Sequence, residues 1–412
     1  MAKITSVEGR LLYNSRGSKT IEVDVISDSK FLGRVCAPSG ASVGKYEAVS
    51  FPNEKPEESL QILNNNSGKF VGLDVYDLKS IHDTLKSLDN TSNYSEIGGA
   101  LAFAVTIASM DSASKSLDQP LFQTLSSESE FKFPYPLGNI LGGGAHAGPG
   151  TPDIQEILVC ATGSKTIRDA IETNLSVHKE LRKVLEKKDP NFTNGRGDEG
   201  GWAPKLDNEK ALEVSVMAIE NLGFTLGKEV SLGVDFASST QWNEDKEKYL
   251  YQRAGFENSP EEQIEFAANI IEKFKLIYAE DAVHEEAFSD MAELTKRFPN
   301  TLVTGDDLTV TNEGILKKAI ELKSCNAAIL KVNQAGSLYD ALEFSQVATQ
   351  NNVKLVTSHR SGESTDSHIS HIGLATKSKL LKVGIVGGER VAKLNELIRL
   401  SEHDLIRGMA EI

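Results

Sequence analysis

Asp235, Glu280, Asp306, Lys331, His359 and Lys382 each close a brief apolar run, and they follow one another at 45, 26, 25, 28 and 23 residues. After the first gap, each interval is the length of one β/α unit. The runs "VSLGVDF", "LIYAED", "LVTGDD", "AAILKVN", "VKLVTSH" and "LLKVG" read as strands. Segments of 3.6-residue periodicity such as "TNEGILKKAIELKS" separate most of them. Strands that alternate with helices make a parallel sheet, and in a (β/α)₈ barrel the C-terminal strand ends share one mouth. A doubly wound open sheet is the rival. It calls for a G-x-G-x-x-G turn after the first strand, which the chain lacks. "IQEILVC" (154–160) is counted here as a further strand of the same parallel kind.

The first 130 residues follow another pattern. "ITSVEGRLL", "KTIEVDVIS" and "FLGRVCAP" form a meander of β-branched runs parted by turn residues. A polar helix then leads into a loop over 54–69, and an alanine-rich buried helix covers 96–117. "KFPYP" (132–136) marks a boundary, giving a small domain over 1–130 and a barrel over 134–412.

The 412 residues carry a net charge of −15, which argues against a nucleic-acid partner. No run of about 18 apolar residues suits a membrane span. Three cysteines without CxxC spacing fit a reducing compartment, so a cytoplasmic location is expected.

Asp235, Glu280 and Asp306 end neighbouring strands, so their carboxylates can converge. Three oxygen donors without thiolate or imidazole suit Mg²⁺ better than zinc. The bland reading of any one of them is a helix cap, a role that fits Asp307 better than Asp306. Lys331 is either a partner of a barrel carboxylate or a general base whose pKa burial draws towards neutrality. Lys382 is a second strand-end lysine able to grip a substrate anion. "SHRSGE" (358–363) offers a phosphate grip, or ordinary caps at a helix start. "PSGASVGKYEA" (38–48) has the composition of a mobile lid.

Together these fragments resemble the enolases. The likeness runs through "YNSRGSKTIEVDV" (13–25), "PSGASVGKYEA", "GGGAHAG" (142–148) with "DIQE" (153–156), and "GDEGGWAP" (197–204). It continues through "GVDFASS" (233–239), "AED" (279–281), "GDDLTVTN" (305–312), "LKVNQAGS" (330–337), "SHRSGES" (358–364) and "ERVAKLNELIRL" (389–400). The resemblance implies a barrel with an atypical ββαα start, capped by a small α+β domain. It implies reversible dehydration of 2-phosphoglycerate to phosphoenolpyruvate in glycolysis and gluconeogenesis, in a homodimer or homo-octamer. Two Mg²⁺ are implied, the second arriving with substrate. Asp235, Glu280 and Asp306 would hold the first, and Ser42 on the lid would join the second.

By the same resemblance Lys331 is the base at C2 and Glu199 the acid at the C3 hydroxyl, with Glu156 and Gln155 beside it. His146 and His359 would touch substrate, Arg360 and Ser361 its phosphate, and Lys382 its carboxylate. Ala282 stands where the family usually has proline, and "AGPGTPDIQ" (147–155) is one residue longer than usual. Another lyase of the superfamily and a silent paralogue are the competing readings. The first has no use for a phosphate grip, and the second would have lost a reacting group.

Overall fold

The computed structural model describes residues 2–40 and 44–412. Strands β1 (Ile4–Tyr13), β2 (Lys19–Ser27) and β3 (Phe31–Cys36) form the antiparallel meander. The helix Gly99–Ser116 lies across it. Its alanines and Gly33 allow that closeness: a Cβ on Gly33 would stand 1.8 Å from the carbonyl oxygen of Ala108. The core beneath this sheet continues into Leu316, Leu338 and Phe344, on helices of the barrel.

Strand β4 (Phe131–Phe133) leads into β5 (Tyr135–Gly142), β6 (Glu156–Cys160) and β7 (Ser231–Asp235). A small sheet of β8 (Trp242–Asn243), β9 (Lys248–Tyr251) and β10 (Phe256–Asn258) follows. The chain continues through β11 (Tyr278–Glu280), β12 (Leu302–Gly305), β13 (Ala327–Leu330), β14 (Lys354–Ser358) and β15 (Leu380–Lys382). The barrel closes in the order β11-β12-β13-β14-β15-β5-β6-β7, and β16 (Ile406–Met409) pairs with β4 at the entrance to β5.

"IQEILVC" is not parallel to its neighbours. β6 starts at Glu156 and runs antiparallel to both β5 and β7. The reversal follows from its connections: β5 reaches β6 through a loop, whereas two helices, Ile167–Lys188 and Asn208–Asn221, separate β6 from β7. This is the expected ββαα start. It also puts the first residue of β6 at the mouth, with Glu156 opposite Asp235.

Asp307 caps no helix. The next helix starts at Glu313 under Asn312, whose side chain accepts from the Ile315 amide. "SHRSGE" starts none either, since the following helix begins at His368.

Candidate active site

The strand-end residues meet in one chamber. Lys331, Asp306, Asp235 and Lys382 line it, together with His359, Arg360 and Ser361 from the turn after β14. His146, Gln155 and Glu156 enter from the β5–β6 connection, and Glu199 from the loop at 197–204. Glu280 sits fully buried below them, beside Asp235 in register. Every sequence-derived site residue except Ser42 is therefore in or next to the chamber, and Ser42 lies outside the described residues.

Charge compensation organises the floor. Lys382 Nζ lies 3.0 Å from Asp235 Oδ2, 2.5 Å from Glu280 Oε2 and 3.0 Å from Glu156 Oε2. Lys331 Nζ donates to Asp306 Oδ2. Burial alone would lower the pKa of Lys331, but Asp306 and Glu280 together outweigh it and raise the value. This corrects the expectation of a lysine drawn towards neutrality. For Asp306, burial is outweighed by Lys331 and Lys382, and its carboxyl falls below the usual range.

The other wall holds two carboxyls whose titrations diverge. Burial and the charge of Glu199 push Glu156 up to about 7, against Lys382. Glu199 is also buried, yet His359, through its hydrogen bond at 3.2 Å, and His146, through its charge, hold the carboxyl below the usual range. Ligand oxygens of the two carboxyls lie within 4.8 Å of each other, and of the two it is Glu156 that holds a proton towards neutral pH. His146 Nδ1 is 3.0 Å from Glu156 and 3.8 Å from Glu199. Burial would depress His146, but these acids hold it at about 8.

A carboxyl raised on folding keeps its proton longer in the native state. Its contribution to stability is present below the unfolded value near 4.5 and lost as pH climbs to about 7. Glu156→Gln cannot incur that loss. Between pH 4.5 and pH 8 it should gain about 3 kcal/mol on the parent in urea denaturation. An equal effect at both pH values would mean that Glu156 titrates alike in the folded and unfolded chains.

Backbone packing brings these loops together. A Cβ on Gly197 would stand 2.4 Å from the carbonyl oxygen of His146, so glycine lets the acid loop lie on the histidine loop. The histidine loop is held in turn by Arg253 from the β9–β10 hairpin. Its guanidinium donates to Thr151 Oγ1 (2.7 Å) and to the carbonyls of Pro152 and Gly144. The "AGPGTPDIQ" stretch is thus fixed in place. At Ala282, Gln263 donates to the carbonyl at 2.9 Å, holding the loop behind Glu280 without a proline.

Sequence reasoning missed Glu47, Asp281 and Arg390. Glu47 accepts a two-pronged contact from Arg360 at 3.0 and 3.3 Å, which orients the guanidinium at the chamber wall. Asp281 accepts the amides of Asp306 and Asp307 at 3.0 and 2.7 Å, clamping the end of β12 to that of β11. The second acid of "AED" was the available signal for Asp281. Glu47 and Arg390 left none beyond an acid near a glycine loop and a basic residue on a helix.

A cation suits this chamber. Ligand oxygens of Glu280, Asp281 and Asp306 all lie within 4.8 Å of one another. Glu280 Oε1 is buried with no hydrogen-bond partner among the described residues. Burial and Asp235 push the Glu280 carboxyl well above its usual range, the mark of a carboxylate short of positive charge.

The profile for the enolase C-terminal TIM barrel domain matches residues 130–408, and that for the enolase N-terminal domain matches 4–125. The chain belongs to the enolase family. It is 43 % identical over 411 residues to the enolase of Methanosphaera stadtmanae, covering 99 % of both chains. The enolase of Methanothermobacter thermautotrophicus is equally similar over the same span, again 99 % of both. That of Pyrobaculum aerophilum is 38 % identical over 96 % of this chain and 95 % of its own. The enolase likeness thus spans both parts of the chain, and no helix among the described residues is long and apolar enough to cross a membrane.

Proposed function

We propose that the protein is a lyase that interconverts 2-phospho-D-glycerate and phosphoenolpyruvate in glycolysis and gluconeogenesis. The observation that carries this reading is one chamber lined by a lysine at a strand end, the neighbouring acids Glu156 and Glu199, and an arginine–serine turn. Abstraction of a proton next to a carboxylate and expulsion of hydroxide require a base and an acid, held apart and aimed at adjacent carbons.

Lys331 Nζ takes the C2 proton, and the electron pair moves into the substrate carboxylate as an enediolate. The Glu156–Glu199 pair gives its proton to the C3 hydroxyl, which leaves as water. Glu156 carries that proton at rest and Glu199 delivers it, with His146 beside both. Arg360, oriented by Glu47, and Ser361 receive the phosphate. The Ser361 hydroxyl supports that role, since it is buried without a partner among the described residues. Lys382 faces the substrate carboxylate, and Gln155 stands beside Glu156 near the C3 hydroxyl.

Asp235, Glu280 and Asp306 would hold a Mg²⁺, and a second, arriving with substrate, would involve Ser42. Bound there, Mg²⁺ supplies positive charge against the enediolate oxygens. Lys331 can work as a base at neutral pH only when the pull of Asp306 is turned elsewhere, as it would be with Asp306 holding a cation.

The reading carries with it a capping domain over 1–130 and a catalytic barrel over 134–412. It also carries a cytoplasmic setting and a homodimer or homo-octamer. The test is the ultraviolet absorbance of phosphoenolpyruvate as the purified protein meets 2-phosphoglycerate. Product should form with Mg²⁺ and stop with excess chelator. A folded, Mg²⁺-supplied protein that forms none refutes the proposal.

A further inference from the structure

The helix Gly388–Leu400 turns Arg390, Lys393, Leu394, Leu397 and Leu400 inwards. The leucines are an ordinary core stripe. Arg390 and Lys393 are cations exposed by only 0 % and 1 %, and the reaction described above uses neither. A buried guanidinium is costly unless its donors are engaged, and those of Arg390 converge on the acid side of the chamber. Nη1 is 2.7 Å from His359 Nδ1 and 2.6 Å from the carbonyl oxygen of Arg360. Nη2 is 2.6 Å from the carbonyl oxygen of Ser361 and 3.3 Å from that of Asp198. Nε lies 3.3 Å from the Glu389 carboxylate.

Arginine N–H groups donate and cannot accept. His359 Nδ1, opposite Nη1, is therefore the unprotonated nitrogen, and the ring proton is on Nε2. That nitrogen faces Glu199 Oε2 at 3.2 Å and donates to it. The same guanidinium also joins the turn carrying Arg360 and Ser361 to the loop carrying Glu199.

We propose that Arg390 is a positioning residue for the acid pair, fixing His359 as the neutral Nε2–H tautomer that donates to Glu199. The role given to Glu199 rests on the proposed function; the tautomer does not. Four charged groups bear on this imidazole or its partner. Glu199 and Glu363 favour a charged ring, Arg390 opposes it, and His146 draws on Glu199 from the far side. Glu363 is itself bound by Lys393 at 2.9 Å, which weakens its pull. Burial, supported by Arg390, prevails, and His359 is held at about 4. An imidazolium there would place a full positive charge against Glu199 and hold its carboxyl ionised, with no proton to deliver.

The test is the ¹⁵N spectrum of selectively histidine-labelled protein across pH 5 to 8, without substrate. In the parent, His359 should keep a pyridine-like Nδ1 and a pyrrole-like Nε2 through that range. In Arg390→Gln the signal should titrate with a midpoint raised by at least about one unit, since a nearby cation has gone. Arg390→Lys keeps the charge without the fork, and should hold the midpoint low while kcat falls. A parent spectrum with Nδ1 protonated overturns the proposal and needs no variant to fold. So does an Arg390→Gln spectrum in which tautomer and midpoint are unchanged while stability drops, the mark of a merely structural arginine. Neither of these two spectroscopic outcomes depends on turnover, so the proposed reaction can fail without deciding this one.

Discussion

Lys331→Ala should lower kcat by about 10²–10⁴-fold, the range of a positioned general base. It should also abolish exchange of the C2 hydrogen with solvent deuterium. The second readout locates the defect. Lys331 and Glu199 line the same chamber but serve different bonds. With Glu199→Gln, C2 exchange should persist while phosphoenolpyruvate formation fails, because the base is intact and only the departing hydroxyl lacks its proton. Proton nuclear magnetic resonance of 2-phosphoglycerate in D₂O separates the two losses. Exchange at the parental rate in Lys331→Ala would assign the base elsewhere and leave Lys331 as the ion-pair partner of Asp306.

The division of labour between strand ends was legible because strand and helix periods are local. A run such as "AAILKVN" sets where β13 stops, and barrel closure then aims Lys331 at the mouth without further information. The reversal of β6 was legible only through the family likeness. An apolar run of five residues carries no direction, and its antiparallel pairing depends on how β5 and β7 arrange themselves around it. Glu47 and Arg360 are 313 positions apart, and their pairing follows from docking of the N-terminal part on the barrel. Arg390 and Lys393 occupy positions that helical periodicity assigns to the core, where charged residues argue against burial. They are buried because backbone carbonyls and the Glu363 carboxylate take up their donors. The raised titration of Lys331 was misjudged for a related reason. Burial can be guessed from an apolar strand, whereas the nearest charge is set by a neighbouring strand.

Lys382→Met should destabilise the protein by about 3–5 kcal/mol at pH 8, the cost of removing one member of a buried ion cluster. Methionine keeps most of the stem volume, so packing changes little. The loss comes from Asp235, Glu280 and Glu156, which the ammonium holds within 3.0 Å. Burial alone would lower the pKa of Lys382, but Asp235 and Glu156 outweigh it and raise the value well above 10.5. Stability from a raised lysine is fully present below its unfolded pKa and disappears only as pH passes the folded value. On the lysine side, then, the difference between parent and variant is flat from acid to moderately alkaline solution. The carboxylates supply the pH dependence. Glu156 already stands at about 7 and Glu280 well above its usual range with the ammonium present. Without it both rise further, and protonation relieves the repulsion as pH falls. Urea denaturation should therefore show a large deficit at pH 8 that narrows by pH 5. A deficit equal at both pH values would mean that Lys382 contributes through its methylene stem, and that the acids on the chamber floor find their compensation elsewhere.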